Sequence, residues 1–398
     1  MNRITRYIHA TGTVSEVIRH RAAEKRPSGM LAFSELRRPV VFWNITNRCN
    51  LLCSHCYIRA GPGRGREDEL TTEEGLALID DLAEMRVPLL LFSGGEPLVR
   101  EDFWELAGHA KESGLTTALS TNGTLITPAV ARRLRDAGVE YAGVSLDGAT
   151  AETHDGMRNV PGSFDKAVSA LDNCRSAGLK CGVRVTATRE NYAEICALID
   201  LSLDTGAERF CVYWLVPSGR GGEGYDARQL RSQEIAGLLD LLIEKAREVD
   251  PAAMEFLTVD APQDTVYLLE RLDKDDPSAY ESMCTLLAHA GVGCSAGDRI
   301  ANIDPSGAVY PCQFAQMDRL KVGSIREKPF STIWNDPENR ILADFRRKKD
   351  LVGGSCGRCS YRDRCGGGCR IRAFADTGDL WAEDPLCPIR REEPREGA

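Results

Sequence analysis

Cys49, Cys53 and Cys56 lie in the run Cys-Asn-Leu-Leu-Cys-Ser-His-Cys-Tyr, directly after the apolar stretch Pro39–Ile45. Three thiolates at the end of one strand can hold three irons of a four-iron cluster and leave the fourth iron open to a small molecule. That open corner is the expected seat of the chemistry. The same three residues could instead hold zinc or be small buried hydrophobes, so the rest of the chain has to decide.

A second set of cysteines lies downstream. Cys294 is followed by Gly307 and Cys312, then by Cys356, Cys359, Cys365 and Cys369, and after a longer gap by Cys387. A zinc ribbon would use four of these and leave Cys294, Cys312 and Cys387 without a role. The chain has 15 cysteines, and Met1–Glu24 lacks the apolar core of a secretory signal, so disulfides are not expected. Cys174, Cys181, Cys196 and Cys211 fall singly in helical or strand patterns and are expected to be small buried hydrophobes. Cys284 stays unassigned.

Composition bounds the class. With 398 residues, 42% apolar and 27% charged, the chain is globular and long enough for two or three domains. A net charge of −9 disfavours non-specific nucleic-acid binding. No apolar run approaches the roughly 18 residues of a membrane span, and a cytoplasmic protein is expected.

The elements that must position the cysteines alternate in type from residue 39 to about 216. Strands are expected at Val40–Ile45, Pro88–Phe92, Thr116–Ser120, Tyr141–Ser145, Gly182–Ala187 and Phe210–Val216. Helices are expected at Thr72–Met85, Glu101–Lys111, Pro128–Asp136, Ser163–Ala177 and Tyr192–Thr205, with caps at Thr71 or Thr72 and at Thr127–Pro128. Repeated βα units give an α/β fold with a parallel sheet covered by helices; six of them suggest a partial, TIM-like (β/α)6 barrel. The expected division is a cap segment over residues 1–38, the barrel over 39–230, a helical bridge over 231–283 and a small cysteine-rich domain over 284–398. A helix is expected around Val14–Ala23. Glu255–Ala261 reads as a short strand or a buried connector, with the connector slightly favoured, and Ile300–Tyr310 as a hairpin with a Pro-Ser-Gly turn.

Active sites of such barrels form at the C-terminal ends of the strands, and polar motifs follow the strands there. Ser93-Gly94-Gly95-Glu96-Pro97 follows the second, Ser120-Thr121-Asn122-Gly123 the third, and Ser145-Leu146-Asp147-Gly148 the fourth, with Arg158 a short way on. Taken alone, each also suits an ordinary turn, cap or surface residue. The formal G-x-G-x-x-G at Gly219–Gly224 lacks the strand-to-helix context of a dinucleotide site. Tyr213, Trp214 and Arg220 are weaker candidates for substrate contacts.

The spacing C-x3-C-x2-C and the Gly-Gly-Glu-Pro turn one βα unit later resemble the radical S-adenosylmethionine (SAM) family, and the seven later cysteines resemble its C-terminal SPASM domain. The resemblance implies a SAM-binding four-iron cluster on Cys49, Cys53 and Cys56, two auxiliary clusters, and reductive cleavage of SAM to a radical that abstracts hydrogen. It implies adenine contact by His55, amino-group binding by Gly94, Gly95 and Glu96, ribose contact by Ser120 and Asn122, and carboxylate contact by Ser145 and Arg158. Cys294, Cys312 and Cys369 would hold the nearer auxiliary cluster, and Cys356, Cys359, Cys365 and Cys387 the outer one. Cys284 is the natural fourth ligand of the nearer cluster, unless an open corner there takes substrate.

Leu91–Pro97, Tyr213–Gly221, Val322–Trp334 and Thr377–Pro385 are similar to the enzymes of heme d1 and alternative heme synthesis. The resulting expectation is hydrogen abstraction from a tetrapyrrole side chain, fed by a low-potential donor such as flavodoxin or ferredoxin. Peptide maturation is the alternative, and an iron–sulfur redox protein without catalysis is a third reading.

Overall fold

The computed structural model describes residues 2–9, 38–65, 67–289 and 293–388. Its strands are β1 (Asn2–Arg3), β2 (Val40–Asn44), β3 (Leu90–Ser93), β4 (Thr117–Thr121), β5 (Val139–Ser145), β6 (Lys180–Ala187), β7 (Arg209–Trp214), β8 (Glu255–Val259), β9 (Ile300–Ile303), β10 (Ala308–Tyr310) and β11 (Gly323–Ser324). They form one sheet in the order β1-β8-β7-β6-β5-β4-β3-β2-β9-β10-β11. Neighbours from β2 through β8 are parallel. Helices Thr72–Glu84, Phe103–Glu112, Pro128–Asp136, Ser163–Ala177 and Ile195–Asp204 return the chain between the first six of these strands. The free edge of β2 pairs with β9 and not with β8, so the barrel stays open. This is the expected six-unit partial barrel, widened by one parallel strand at each side.

Alternation along the strands separates two environments. On β6, Cys181, Val183, Val185 and Ala187 join the core that packs under the helices. Arg184, between them, turns to the lumen and lies over the Tyr213 ring of β7. The helix starts follow from local chemistry. Thr71 Oγ1 accepts from Glu74 N while Glu74 Oε2 accepts from Thr71 N, a reciprocal capping box. Thr127 caps the helix that begins at Pro128. Gly75 lets helix Thr72–Glu84 lie tight on the sheet: a Cβ there would fall 2.8 Å from Leu106 Cδ2 and 2.9 Å from Trp43 Cη2.

Three expectations and one unforeseen helix need comment. Glu255–Ala261 is not a connector; Glu255–Val259 is a strand, and Glu255–Thr258 are all buried, which erases the alternation that marks a half-exposed strand. Helix Ala151–Arg158 was not expected; it is short and buries only His154, Met157 and Arg158. Cys174, Cys181 and Cys211 are buried, but Cys196 is exposed, because Ile195, Leu198 and Ile199 take the buried side of its helix. The helix expected around Val14–Ala23 lies outside the described residues.

The cysteine-rich part begins with the expected hairpin. β9 and β10 pair antiparallel, and Asp304 Oδ1 accepts from Ser306 N and Ala308 N across the turn. β9 runs parallel beside β2, Val40 to Trp43 facing Ile300 to Ile303. Among the described residues no helix is long and apolar enough to cross a membrane.

Candidate active site

The cysteine loop leaves the end of β2 and is held from three sides. Glu69 Oε1 accepts from Asn47 N and Thr46 Oγ1. Leu52 N and Ser54 N donate to the carbonyls of Arg158 and Met157 at the end of the short helix after β5. From the segment after β7, Arg220 donates to the carbonyls of Cys53 at 2.7 Å and Ala60 at 2.6 Å. Gly219 completes this clamp: with φ +58, a Cβ there would stand 2.4 Å from the Tyr57 carbonyl carbon. The glycine-rich loop therefore serves close backbone approach to the cysteine loop. Arg220, weighed as a substrate contact, supports the loop, and Trp214 donates to Asp264 Oδ2 at 2.7 Å within the core.

The thiols sit among donors. Leu51 N lies 3.4 Å and Asn122 Nδ2 3.8 Å from Cys49 Sγ, and Arg158 Nη1 lies 3.4 Å from Cys53 Sγ. Burial first, with Glu96 and the other two thiols adding to it, pushes the Cys49 thiol up to about 12. Three cysteines that repel one another as thiolates, two of them supplied with donors, suit cluster ligation, since hydrogen bonds to ligand sulfurs and a compensating metal charge are what thiolates need. The donor set fits a four-iron cluster.

Two carboxylates organise the surroundings. Asp147, after β5, contacts both His55 Nε2, at 3.2 Å, and Arg158 Nη2. Burial alone would raise the Asp147 carboxyl, yet Arg158 and His55 hold it well below the usual range. Its other oxygen accepts from Thr186 N. Beside it, burial pushes His154 down to about 4, so the neutral ring accepts from Asp147 N. Glu96 is fully buried and ties two strand ends together: Oε1 accepts from Thr121 Oγ1 and Oε2 from Asn122 N, each at 2.8 Å. Burial raises this carboxyl to about 7, and a ligand ammonium beside it would favour the ionised form. Gly94 and Gly95 press on the backbone of Thr46–Arg48; a Cβ on Gly95 would lie 2.1 Å from Arg48 O.

Thus the structure gathers His55, Asp147 and Arg158 around Cys53, and Glu96, Asn122 and Cys49 around the turn after β3. Ser145 lies on β5 opposite Arg184. Ser120 accepts from Arg184 Nη1. The sequence placed Asp147 in a polar motif and Arg220 among the candidates for substrate contact, but not their roles, since each acts through partners fixed only by the fold.

The later cysteines form two groups. Cys356, Cys359, Cys365 and Cys387 line one recess, together with Gln263, Val266 and Arg362. Among the described residues no group of three or more His, Cys, Asp or Glu is placed to hold a single metal ion. Cys294, Cys312 and Cys369 form the other group, in which burial and the two neighbouring thiols drive Cys312 far above its ordinary value. Cys284 packs against the main core instead, beside Tyr280. Asp384 stands between the groups: it accepts from Cys369 N at 2.6 Å and from Arg372 through both Nε and Nη2, while its carbonyl accepts from Cys387 N. Arg372 Nη2 also donates to Asp260 O beyond β8, joining this region to the barrel.

An open barrel with a cysteine loop at its mouth, and two further cysteine groups beside it, is the arrangement of an iron–sulfur protein. The family model for the radical SAM superfamily matches residues 43–202, and that for an iron–sulfur cluster-binding domain, SPASM, matches residues 294–360. Fe-coproporphyrin III synthase of Methanosarcina barkeri is 41% identical over 390 residues, 96% of each chain. Pre-heme d1 synthase of Dinoroseobacter shibae is 37% identical, over 89% of this chain and 87% of that one. The crystal structure of Streptococcus suis SuiB bound to S-adenosylmethionine matches with a TM-score of 0.68 at 19% identity, over 93% of this chain and 80% of that one, and shows the shared fold. The chain belongs to the radical SAM superfamily and carries a C-terminal SPASM domain.

It is an enzyme that binds SAM, a four-iron cluster in the barrel and auxiliary clusters in the SPASM domain. When bound, the barrel cluster and SAM would supply reductive cleavage of SAM to a hydrogen-abstracting radical. The protein's own share is to hold the cysteine loop in place and to set donors beside Cys49 and Cys53.

Proposed function

We propose that this enzyme abstracts hydrogen from an acid side chain of an iron porphyrinoid, a precursor of a heme-type cofactor. The observation that carries the reading is the match to Fe-coproporphyrin III synthase across 96% of both chains, supported by the match to pre-heme d1 synthase. In this reading Cys49, Cys53 and Cys56 ligate the SAM cluster. Glu96 with the Gly94–Gly95 turn takes the SAM ammonium, and Asn122 stands by the ribose. His55 lies against the adenine, and Ser145 and Arg158 serve the SAM carboxylate. Cys294, Cys312 and Cys369 ligate one auxiliary cluster; Cys356, Cys359, Cys365 and Cys387 ligate the other. The domain boundaries near residues 38, 230 and 283 belong to the same proposal. So do a cytoplasmic location, a flavodoxin or ferredoxin as donor and the lack of a nucleic-acid partner.

The test is anaerobic reconstitution with iron and sulfide, an iron count per chain, and reductive SAM cleavage with and without an iron porphyrinoid. About twelve irons, with deoxyadenosine formation that rises with the porphyrinoid, support the reading. Cleavage indifferent to porphyrinoids turns the assignment to a peptide substrate. Absence of cleavage in loaded protein overturns the catalytic roles given to these residues.

A further inference from the structure

Two arginines on adjacent strands enter the barrel lumen, and among the described residues only one of the two is ion-paired. Arg209 of β7 is 3.0 Å from Glu255 Oε2 of β8, and its guanidinium lies 4.9 Å over the Tyr141 ring. Arg184 of β6 makes no ion pair with Asp or Glu among the described residues. Its Nη1 donates to Ser120 Oγ at the end of β4, its guanidinium lies 4.6 Å over the Tyr213 ring, and its Nε is buried with no partner. The fold makes room for this side chain: a Cβ on Gly143 of β5 would fall 2.6 Å from Arg184 Cδ.

A charge withdrawn from water without a counter-charge is costly unless something else stands to be gained from it. A hydroxyl and an aromatic face orient the guanidinium; the buried Asp260 carboxyl feels its charge, but no carboxylate among the described residues is in direct contact with the fork. The guanidinium is a planar fork whose donors match the two oxygens of a carboxylate. Its position is also telling. Ser120 and Tyr213 stand near the C-terminal ends of their strands, the end from which the cysteine loop departs, and Tyr57, next to Cys56, is among the groups that act electrostatically on Arg184. Arg158, by contrast, lies against Asp147 and Cys53, on the side given to SAM.

We propose that Arg184, oriented by Ser120 and Tyr213, is the receptor for one carboxylate of the substrate, an acetate or propionate arm of the porphyrinoid. The assignment rests on the function proposed above and deepens it. Holding one arm fixes which carbon of the macrocycle's edge faces the radical, so Arg184 governs the position attacked. It also gives Ser120 a role on the substrate side rather than at the SAM ribose.

The test uses reconstituted holoenzyme with SAM present, titrated anaerobically by absorbance with iron coproporphyrin III and with its tetramethyl ester. Wild-type protein is expected to bind the free acid at least about tenfold more tightly than the ester, the scale of a lost charge-assisted pair. Arg184→Gln is expected to remove that preference, Arg184→Lys to restore part of it, and SAM affinity by equilibrium dialysis to stay within about twofold. Arg184→Gln with an undiminished preference for the acid overturns the proposal. So does a variant that keeps the preference and loses SAM, which would assign the fork to the SAM carboxylate. Should Arg184→Gln fail to take up its clusters, wild-type protein decides alone: equal binding of acid and ester overturns the proposal. Wild-type protein that binds neither overturns the porphyrinoid reading itself, a result separable from failure of the receptor.

Discussion

Replacing Asp384 by Ala is expected to unfasten the auxiliary-cluster region while leaving the barrel intact. The side chain accepts five hydrogen bonds: from Arg372 Nε and Nη2, from the amides of Cys369 and Leu386, and from Gln263 Nε2. Asp384 is 1% exposed and Arg372 fully buried. Removing one partner of a buried ion pair costs about 3–5 kcal/mol, and each orphaned amide adds about 1 kcal/mol or more, so a loss of about 4–6 kcal/mol is expected after partial relaxation. That corresponds to an increase of about three orders of magnitude or more in local opening. Against the cost of burial, Arg372 holds the Asp384 carboxyl below its ordinary value. The stabilisation is therefore full above the unfolded-state value of about 3.9 and is lost as pH falls through the lower folded value. Hydrogen exchange of the amides around Cys369 and Leu386 in cluster-free protein, and the iron count after reconstitution, measure the effect. Exchange within about tenfold of wild type together with a full iron count would refute the assignment of Asp384 as the tie between the two cysteine groups.

Other substitutions test separate links. Cys53→Ala is expected to abolish deoxyadenosine formation, whereas Cys359→Ala is expected to retain some SAM cleavage with a lower product yield; chromatography of both products reads the difference, and full yield in Cys359→Ala would remove the outer site from turnover. Asp264 is buried and its carboxyl is raised to about 7, so the folded protein holds a proton that the unfolded chain releases near 3.9. Stability should consequently fall as pH rises from about 4 to about 7 and level off above. Asp264→Asn should flatten that slope in thermal melts of cluster-free protein, and an unchanged slope would place the titration elsewhere. Gly75→Ala should destabilise by about 1–3 kcal/mol, because overpacking against Trp43 and Leu106 outweighs the roughly 1 kcal/mol gained in helix propensity; a raised melting temperature would contradict the tight approach.

The sequence was most legible where one local rule decides. Alternating strands and helices, Thr71 and Thr127 as caps, and the Asp304–Gly307 turn all depend on neighbours a few residues away, and the expected elements match within a few residues. Legibility failed where burial is two-sided or partners are remote. The strand Glu255–Val259 carries no alternation because it is sandwiched. Arg220, Asp147, Arg372 and Asp384 look like ordinary loop or helix residues until the fold brings each to its partners. Arg184 is the sharpest case: a single arginine in an apolar strand gives no hint from spacing that its guanidinium would be left without a carboxylate. The cysteine groups were readable because ligand spacing is set locally, except that Cys294, Cys312 and Cys387 join partners far along the chain.

The pairing of β2 with β9 has a consequence for biogenesis. β2 opens the barrel, but the strand that covers its outer edge is made about 260 residues later. At roughly 5–20 residues per second, a ribosome leaves that edge bare for about 13–50 s. An uncovered strand edge is a template for pairing with other chains. The nascent chain is thus most vulnerable to misassociation in the interval before its last quarter emerges, and shortening it from the C-terminus before Ile300 would make that exposure permanent.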